Sequence, residues 1–357
     1  MTTILLFNIF VVLCAFSARS KQTSFGLKAS FILIFLLLAL RYRYGNDYVA
    51  YLQGFLDINR YTMIDYFNVS SHFEIGWIFL CRVFRPFGFF AMVAVLAAFN
   101  CWVYYRFIKR YVSPRYYWFA VFLYVFTPGF MLIHASAMRQ SLAIDIFIFS
   151  IDYIYKKDFL RYLACIVLAS SFHSSALILL PIYLLRLFNF KINILTAVSL
   201  FSLFLFMLGF SSLFLPYIIK YTGIFFEKYQ NYKMSSVLGS GLGVAFSAFL
   251  FALILFYERL QIADVALLFR ISMLGYFIIP LSLSIMMISR IGMYFQPITI
   301  VVFPILFLKI KNPIYKNIIL AMLIFMTMYL YFQFFQSSVW KIAFGRYQTI
   351  FSAPEIY

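Results

Sequence analysis

The feature that most constrains this chain is the continuity of its apolar runs. Residues 31–40 read FILIFLLLAL and residues 318–330 read IILAMLIFMTMYL. A membrane-barrel strand alternates between lipid-facing and lumen-facing positions over about 10 residues. These runs do not alternate, so they read as helices with no polar face to offer water. About 20 such residues cross the hydrocarbon core of a bilayer. Of the 357 residues, 65% are apolar or aromatic and 11% are charged, against roughly 45–50% and 25% in soluble domains. The mean hydropathy of +0.95 agrees. A water-soluble globule, a disordered chain and a nucleic-acid-binding domain are excluded. The fold class is all-α: a polytopic integral membrane protein of about 12 transmembrane helices.

Short hydrophilic breaks divide the chain into expected spans at 3–18, 27–41, 88–106, 116–133, 138–155, 160–173, 175–188, 193–214, 243–258, 267–288, 292–309 and 316–334. Residues 1–357 form one transmembrane domain in this division, with outer loops at 42–73 and 215–242. Residues 3–18 have a signal-peptide-like apolar core. Basic residues follow it and none precedes it, so it reads as a retained first helix with its N-terminus outside. Segment 74–87 carries two arginines and a proline, and reads as an interfacial or re-entrant helix rather than a span.

Charge tests this division. With the N-terminus outside, 17 of the 29 basic residues fall in the inner loops, nine of them lysines. Counting 74–87 as a span would put Arg106, Lys109, Arg110 and Arg115 outside, against the positive-inside rule. The remaining 12 basic residues are mostly arginine: Arg41, Arg43, Arg60, Arg82, Arg85, Arg139, Arg290 and Arg346. Topology selection favours the other side, so it does not explain them. Arginine suits bidentate phosphate recognition, and the cluster points to an anionic ligand on the outer face. Plain snorkelling interface residues account for part of it.

Cys14, Cys81, Cys101 and Cys165 are widely spaced and sit in or beside apolar runs, as small hydrophobes do. His72, His134 and His173 lack metal-ligand spacing. The run 239–243, GSGLG, lacks the strand and lysine of a phosphate loop and reads as close helix packing or a loop end.

Four motifs reach the outer face. In RYRYGNDYVAY (41–51), two arginines precede a glycine turn and Asp47. Tyr48, Tyr51 and Phe55 follow at helical spacing, as one aromatic face suited to sugar rings; an interfacial aromatic belt is the alternative. In MRQSLA (138–143), Arg139 and Gln140 open a helix whose free N–H groups favour an anion. Asp145, inside that span, is either functional or an arginine's partner. In FHSSAL (172–177), His173 and Ser174 sit at an outer turn, where the histidine is a general base, a hydroxyl binder or a helix cap. In SRIGMYF (289–295), Arg290 and Tyr294 open another span. Glu74 heads the re-entrant segment.

With HFEIGW (72–77) added, these motifs in this order over residues 30–300 resemble the EpsG-type membrane proteins, Wzy-type polymerases of bacterial surface polysaccharides. Asn46 stands where that family has threonine in a G-T-D-Y run. The resemblance implies a glycosyltransferase of GT-C-like architecture. It would join undecaprenyl-pyrophosphate-linked oligosaccharides at the periplasmic face of the bacterial inner membrane. Arg41, Arg43, Arg139 and Arg290 would hold the pyrophosphate. His173, Asp47 or Glu74 would serve the acceptor hydroxyl, with His173 ranked first as base. Gln140, Tyr48, Tyr51, Ser174 and Tyr294 would contact substrate. No cofactor or metal is expected, and no nucleic acid. The expected partners are the lipid-linked oligosaccharide and membrane lipid, with a chain-length regulator as a further candidate. Two rivals remain: a flippase or exporter of the same lipid, which would line a midplane path with charge, and a membrane glycan acyltransferase.

This topology places Lys109 and Lys228 on opposite sides of the membrane. Cysteines introduced there, in a background lacking the four native ones, should differ in labelling by an impermeant reagent applied to intact spheroplasts. Equal labelling refutes the arrangement.

Overall fold

The computed structural model describes residues 2–17, 23–60, 73–187, 193–213, 241–258, 265–284 and 286–352. Nearly all of these are helical. Three helical runs are long and apolar enough to cross a membrane: Gly88–Tyr111, Ile288–Lys309 and Pro313–Gln336. Shorter apolar helices accompany them, including Thr2–Phe16, Phe25–Ala39 and Phe159–Phe172. Some expected spans are divided. Residues 116–133 become Tyr117–Phe126 and Met131–Ser136, because Pro128 cannot continue the first helix. Residues 267–288 become Ala266–Phe277, Ile279–Ser284 and part of Met286–Phe295. Ser174–Leu187 is a 3₁₀ stretch. Its tighter winding, at about 2 Å rise per residue, carries 14 residues roughly 28 Å.

The described residues fall into two units, one of Met1–Leu180 with Phe303–Tyr357, the other of Pro181–Val302. In the first, helix α1 (Thr2–Phe16) packs on α2 (Phe25–Ala39), and α2 on the long helix α5 (Gly88–Tyr111). Helix α8 (Met138–Tyr155) packs on α5 and on α9 (Phe159–Phe172). Isolated polar side chains stitch these apolar faces. Ser30 donates to the Val11 carbonyl at 2.7 Å, and Asn8 to the Val125 carbonyl at 3.1 Å. Such bonds, with small residues, hold helices together where lipid is as apolar as the side chains. Asp158 caps α9 by accepting from the Arg161 N–H. Asn312 caps Pro313–Gln336, with proline at the first helical position where its missing N–H costs nothing.

Helix α8 bears polar contacts at three levels. Arg139 lies in its first turn. Midway, Asp145 accepts from Asn100 Nδ2 of α5 at 2.9 and 3.1 Å, and Asn100 Oδ1 accepts from the Tyr124 hydroxyl at 2.5 Å. Near the end, Asp152 pairs with Arg106 at 2.6 Å and Arg110 at 2.5 Å. Thirteen residues separate positions 139 and 152, or about 20 Å along the axis.

Two elements occupy the expected loop 42–73. Arg41–Tyr42 pairs antiparallel with Gln348–Thr349, and helix α3 spans Tyr48–Arg60. Residues 61–72 lie outside the described residues, as does most of 215–242. Helix α4 (Ile75–Val83) has nine residues, or about 14 Å, too short for a core of about 30 Å.

In the second unit, Met286–Phe295 packs on Ala266–Phe277 through glycine. An added Cβ at Gly275 would meet Phe295 Cβ and the Gln296 nitrogen at 3.0 Å. Phe204 and Phe251 pack as a tilted pair with ring centroids 4.9 Å apart.

Helix α4 touches α9 at Gly76, where an added Cβ would lie 2.3 Å from Ser171 Oγ and 2.7 Å from its carbonyl oxygen. Gly76→Val should destabilise the protein by roughly 2 kcal/mol, the scale of overpacking, seen as a lowered unfolding midpoint in detergent. Gly129→Val, where an added Cβ meets nothing within 4 Å, is the comparison that should change little.

Candidate active site

Three motifs far apart in sequence converge in the first unit. The α8–α9 hairpin turns tightly at Lys157, whose φ of 63° is left-handed. Its two open ends, Arg139 and His173, therefore return to one level. The glycine contact at position 76 sets the head of α4, and with it Glu74, against them.

Glu74 is the hub. Its Oε2 is paired with Arg139 Nη1. Its Oε1 accepts from the Ser174 N–H at 3.3 Å and lies 3.4 Å from His173 Nδ1. The Arg139 and Glu74 side chains are each 22% exposed and that of His173 14%. The guanidinium of Arg139 lies over the Phe73 ring at 4.8 Å and the Tyr51 ring at 5.9 Å, a cation–π cradle that adds to its retention. Burial alone would push the Glu74 carboxyl up. The His173 imidazole, the Arg139 charge and the Ser174 N–H outweigh it and hold the carboxyl down at about 2. With Nδ1 turned to the carboxylate and buried, Nε2 is the nitrogen left to exchange a proton.

The 41–48 motif divides between inside and outside. Arg41 is buried, and its guanidinium donates to the carbonyls of Leu38 and Ala135. It lines a cavity of about 30 Å³ with Asn100, Ser141 and Asp145. Arg43 is exposed, in a left-handed conformation (φ 49°), with its guanidinium 5.3 Å from the Tyr42 ring centroid. A non-glycine residue held there is strained, and such strain gathers at functional sites. Gly45, with φ 127°, passes 3.1 Å from the Ser136 Cα as measured from a built Cβ, and the Asp47 N–H donates to Ser136 Oγ at 3.2 Å. This loop therefore rests on the turn just before Arg139.

The structure buries Tyr48 (0% exposed) and Tyr51 (7%) in a core with Trp77, Phe89 and Met138. The Tyr48 hydroxyl donates to the Arg41 carbonyl at 3.0 Å. Gln140 is buried, whereas Ser174 is exposed. Arg290 and Tyr294 belong to the second unit, Arg290 exposed and Tyr294 buried. Asn100, Tyr124 and Ser136 belong to none of the four motifs. A lone asparagine in an apolar span was the available signal for the first. Among the described residues, no three His, Cys, Asp or Glu side chains are grouped to hold a metal ion.

The model of the EpsG family matches residues 27–349 of this chain. No curated protein and no solved structure matches it.

The depressed Glu74 carboxyl makes a prediction about acid. Its folded-state value lies below the ordinary 4.5, so the stability it contributes is complete above about pH 4.5 and is lost as pH falls toward 2. Thermal midpoints in detergent should fall across that window. Glu74→Gln should start lower at neutral pH and show a smaller further loss in acid.

Proposed function

The chain belongs to the EpsG family, which is associated with Wzy-type polysaccharide polymerases, and we propose that it polymerises undecaprenyl-pyrophosphate-linked oligosaccharide repeat units. In this reading the fold is a twelve-span, GT-C-like arrangement in the bacterial inner membrane, with the Glu74–Arg139–His173 cluster at the periplasmic face. A chain-length regulator is a candidate partner. The observation that carries the proposal is the convergence of Glu74, Arg139 and His173, from three separate motifs, at one half-buried place.

The chemistry follows from the side chains. The acceptor hydroxyl attacks the anomeric carbon of the donor's sugar, forming the glycosidic bond. The bond from that carbon to the pyrophosphate oxygen breaks. The hydroxyl proton passes to His173 Nε2, and Glu74 beside Nδ1 stabilises the imidazolium that results. Negative charge grows on the departing undecaprenyl pyrophosphate. Arg139 and Arg43 are the groups to stabilise it, without requiring a metal. Arg41 supports the loop from within. Asp47, anchored to Ser136, orients the acceptor or Arg43.

Arg139→Ala should abolish polymer with protein level unchanged. Arg139→Lys should restore little, because a point charge lacks the guanidinium fork. His173→Ala should lower turnover by about 10²–10⁴, the usual worth of general base catalysis, while still binding lipid-linked donor. The measurement is the chain-length profile of surface polysaccharide in a deletion strain carrying each variant. Single repeat units retained without polymer mark a polymerase. Loss of all exported units marks a flippase instead.

A further inference from the structure

The two oxygens of Glu74 have different partners. Oε2 holds Arg139, and Oε1 faces His173 Nδ1 at 3.4 Å and the Ser174 N–H at 3.3 Å. A base needs only the second set. The first is explained by Arg139 itself. A guanidinium in a half-buried site of a membrane protein is costly without an anion, and a carboxylate occupies the same donor fork that a phosphate would. At 22% exposure on each side, the pair is sheltered enough to need a counter-charge and open enough to exchange it.

We infer that Glu74 is a resting counter-anion for Arg139, displaced from it when the donor's pyrophosphate binds and thereby released to His173 and Ser174. The inference rests on the polymerase reading above and adds a coupling to it. Arg139 exchanges Glu74 Oε2 for a phosphate oxygen. No covalent bond changes. Glu74 keeps its contacts through Oε1 and no longer shares its charge with a neighbouring cation, so the carboxylate serves the imidazole fully only once a donor is in place. Donor binding would then precede acceptor activation. Glu74 is in this sense a positioning residue: it acts through Arg139 and His173.

The test uses the full-length protein in detergent and inorganic pyrophosphate as probe, with binding measured by calorimetry and turnover by polymer formation. Glu74→Gln removes the competing charge. It should bind pyrophosphate roughly tenfold more tightly than wild type, equivalent to about 1.4 kcal/mol, while kcat for polymerisation falls. A merely structural Glu74 would lose binding and turnover together. Glu74→Asp keeps the charge but withdraws it by one methylene. It should show a smaller tightening, and it serves as the reporter if the glutamine variant does not fold. The gain should vanish when Arg139→Ala is combined with either change. If Arg139→Ala lowers pyrophosphate binding but neither Glu74 variant tightens it, displacement is overturned and the role of Arg139 stands. If Arg139→Ala binds pyrophosphate as wild type does, the donor assignment itself falls, and the displacement with it.

Discussion

A guanidinium at the head of an apolar helix must be given an anion, and around Arg139 the first unit is arranged to give it one. The anion comes from Glu74, at the head of a nine-residue helix too short to cross the bilayer. Placing that carboxylate requires the short helix to approach α9 with no side chain between them, which Gly76 allows. It also requires the α8–α9 hairpin to close within a few residues, which Lys157 allows by adopting a left-handed backbone. The ion pair, the glycine contact and the hairpin turn are three parts of one solution. The carboxylate that neutralises Arg139 also faces His173, so one side chain ties the two motifs together.

The opposite end of α8 shows how differently the same charges are used. There Asp152 is shared by Arg106 and Arg110, with Arg106 also against the Trp102 and Phe149 rings at 5.5 and 5.0 Å. Two cations share one acid here. At the Glu74 end one acid serves one arginine and one histidine. Between them, the Tyr124–Asn100–Asp145 chain satisfies a carboxyl deep in the apolar region. Charge is thus concentrated at the two ends of the helix pair, with hydrogen-bonded polarity between.

Much of this was legible in the residues. The apolar runs state a helical membrane protein, and the motif order points to the family. The charges and proline of 74–87 set that segment apart from the long apolar runs, and its helix has only nine residues. Pairing was less legible. Helical spacing put Tyr48, Tyr51 and Phe55 on one face, but which way that face turns is decided by Trp77 and Phe89, which cover it. Arg41 and Arg43 look equivalent in sequence. They differ because residue 41 belongs to a paired, inward-packed segment and residue 43 to the turn that follows. The partner of that segment lies about three hundred residues away, and no local signal announces it. Asn100 and Tyr124 are single polar groups in long apolar stretches, where a pattern built on periodicity registers only an interruption.

The pairing of residues 41–42 with 348–349 has a consequence for biogenesis. The loop bearing Arg43 and Asp47 also leans on the far end of the chain through Gly45 N–H to Ala343 O at 3.0 Å, Tyr44 against Phe344 and Tyr347, and Ile350 N–H to Leu40 O at 2.9 Å. A ribosome and insertion machinery working from the N-terminus deliver this loop early and its supports about three hundred residues later. Until the helix Pro313–Gln336 is in the bilayer and the residues after it have emerged, the loop lacks the strand that orders it. The arrangement makes synthesis through about residue 350 a condition for ordering this loop, so a chain stopped before residue 343 carries most of the helices without the strand that holds Arg43 and Asp47 in place.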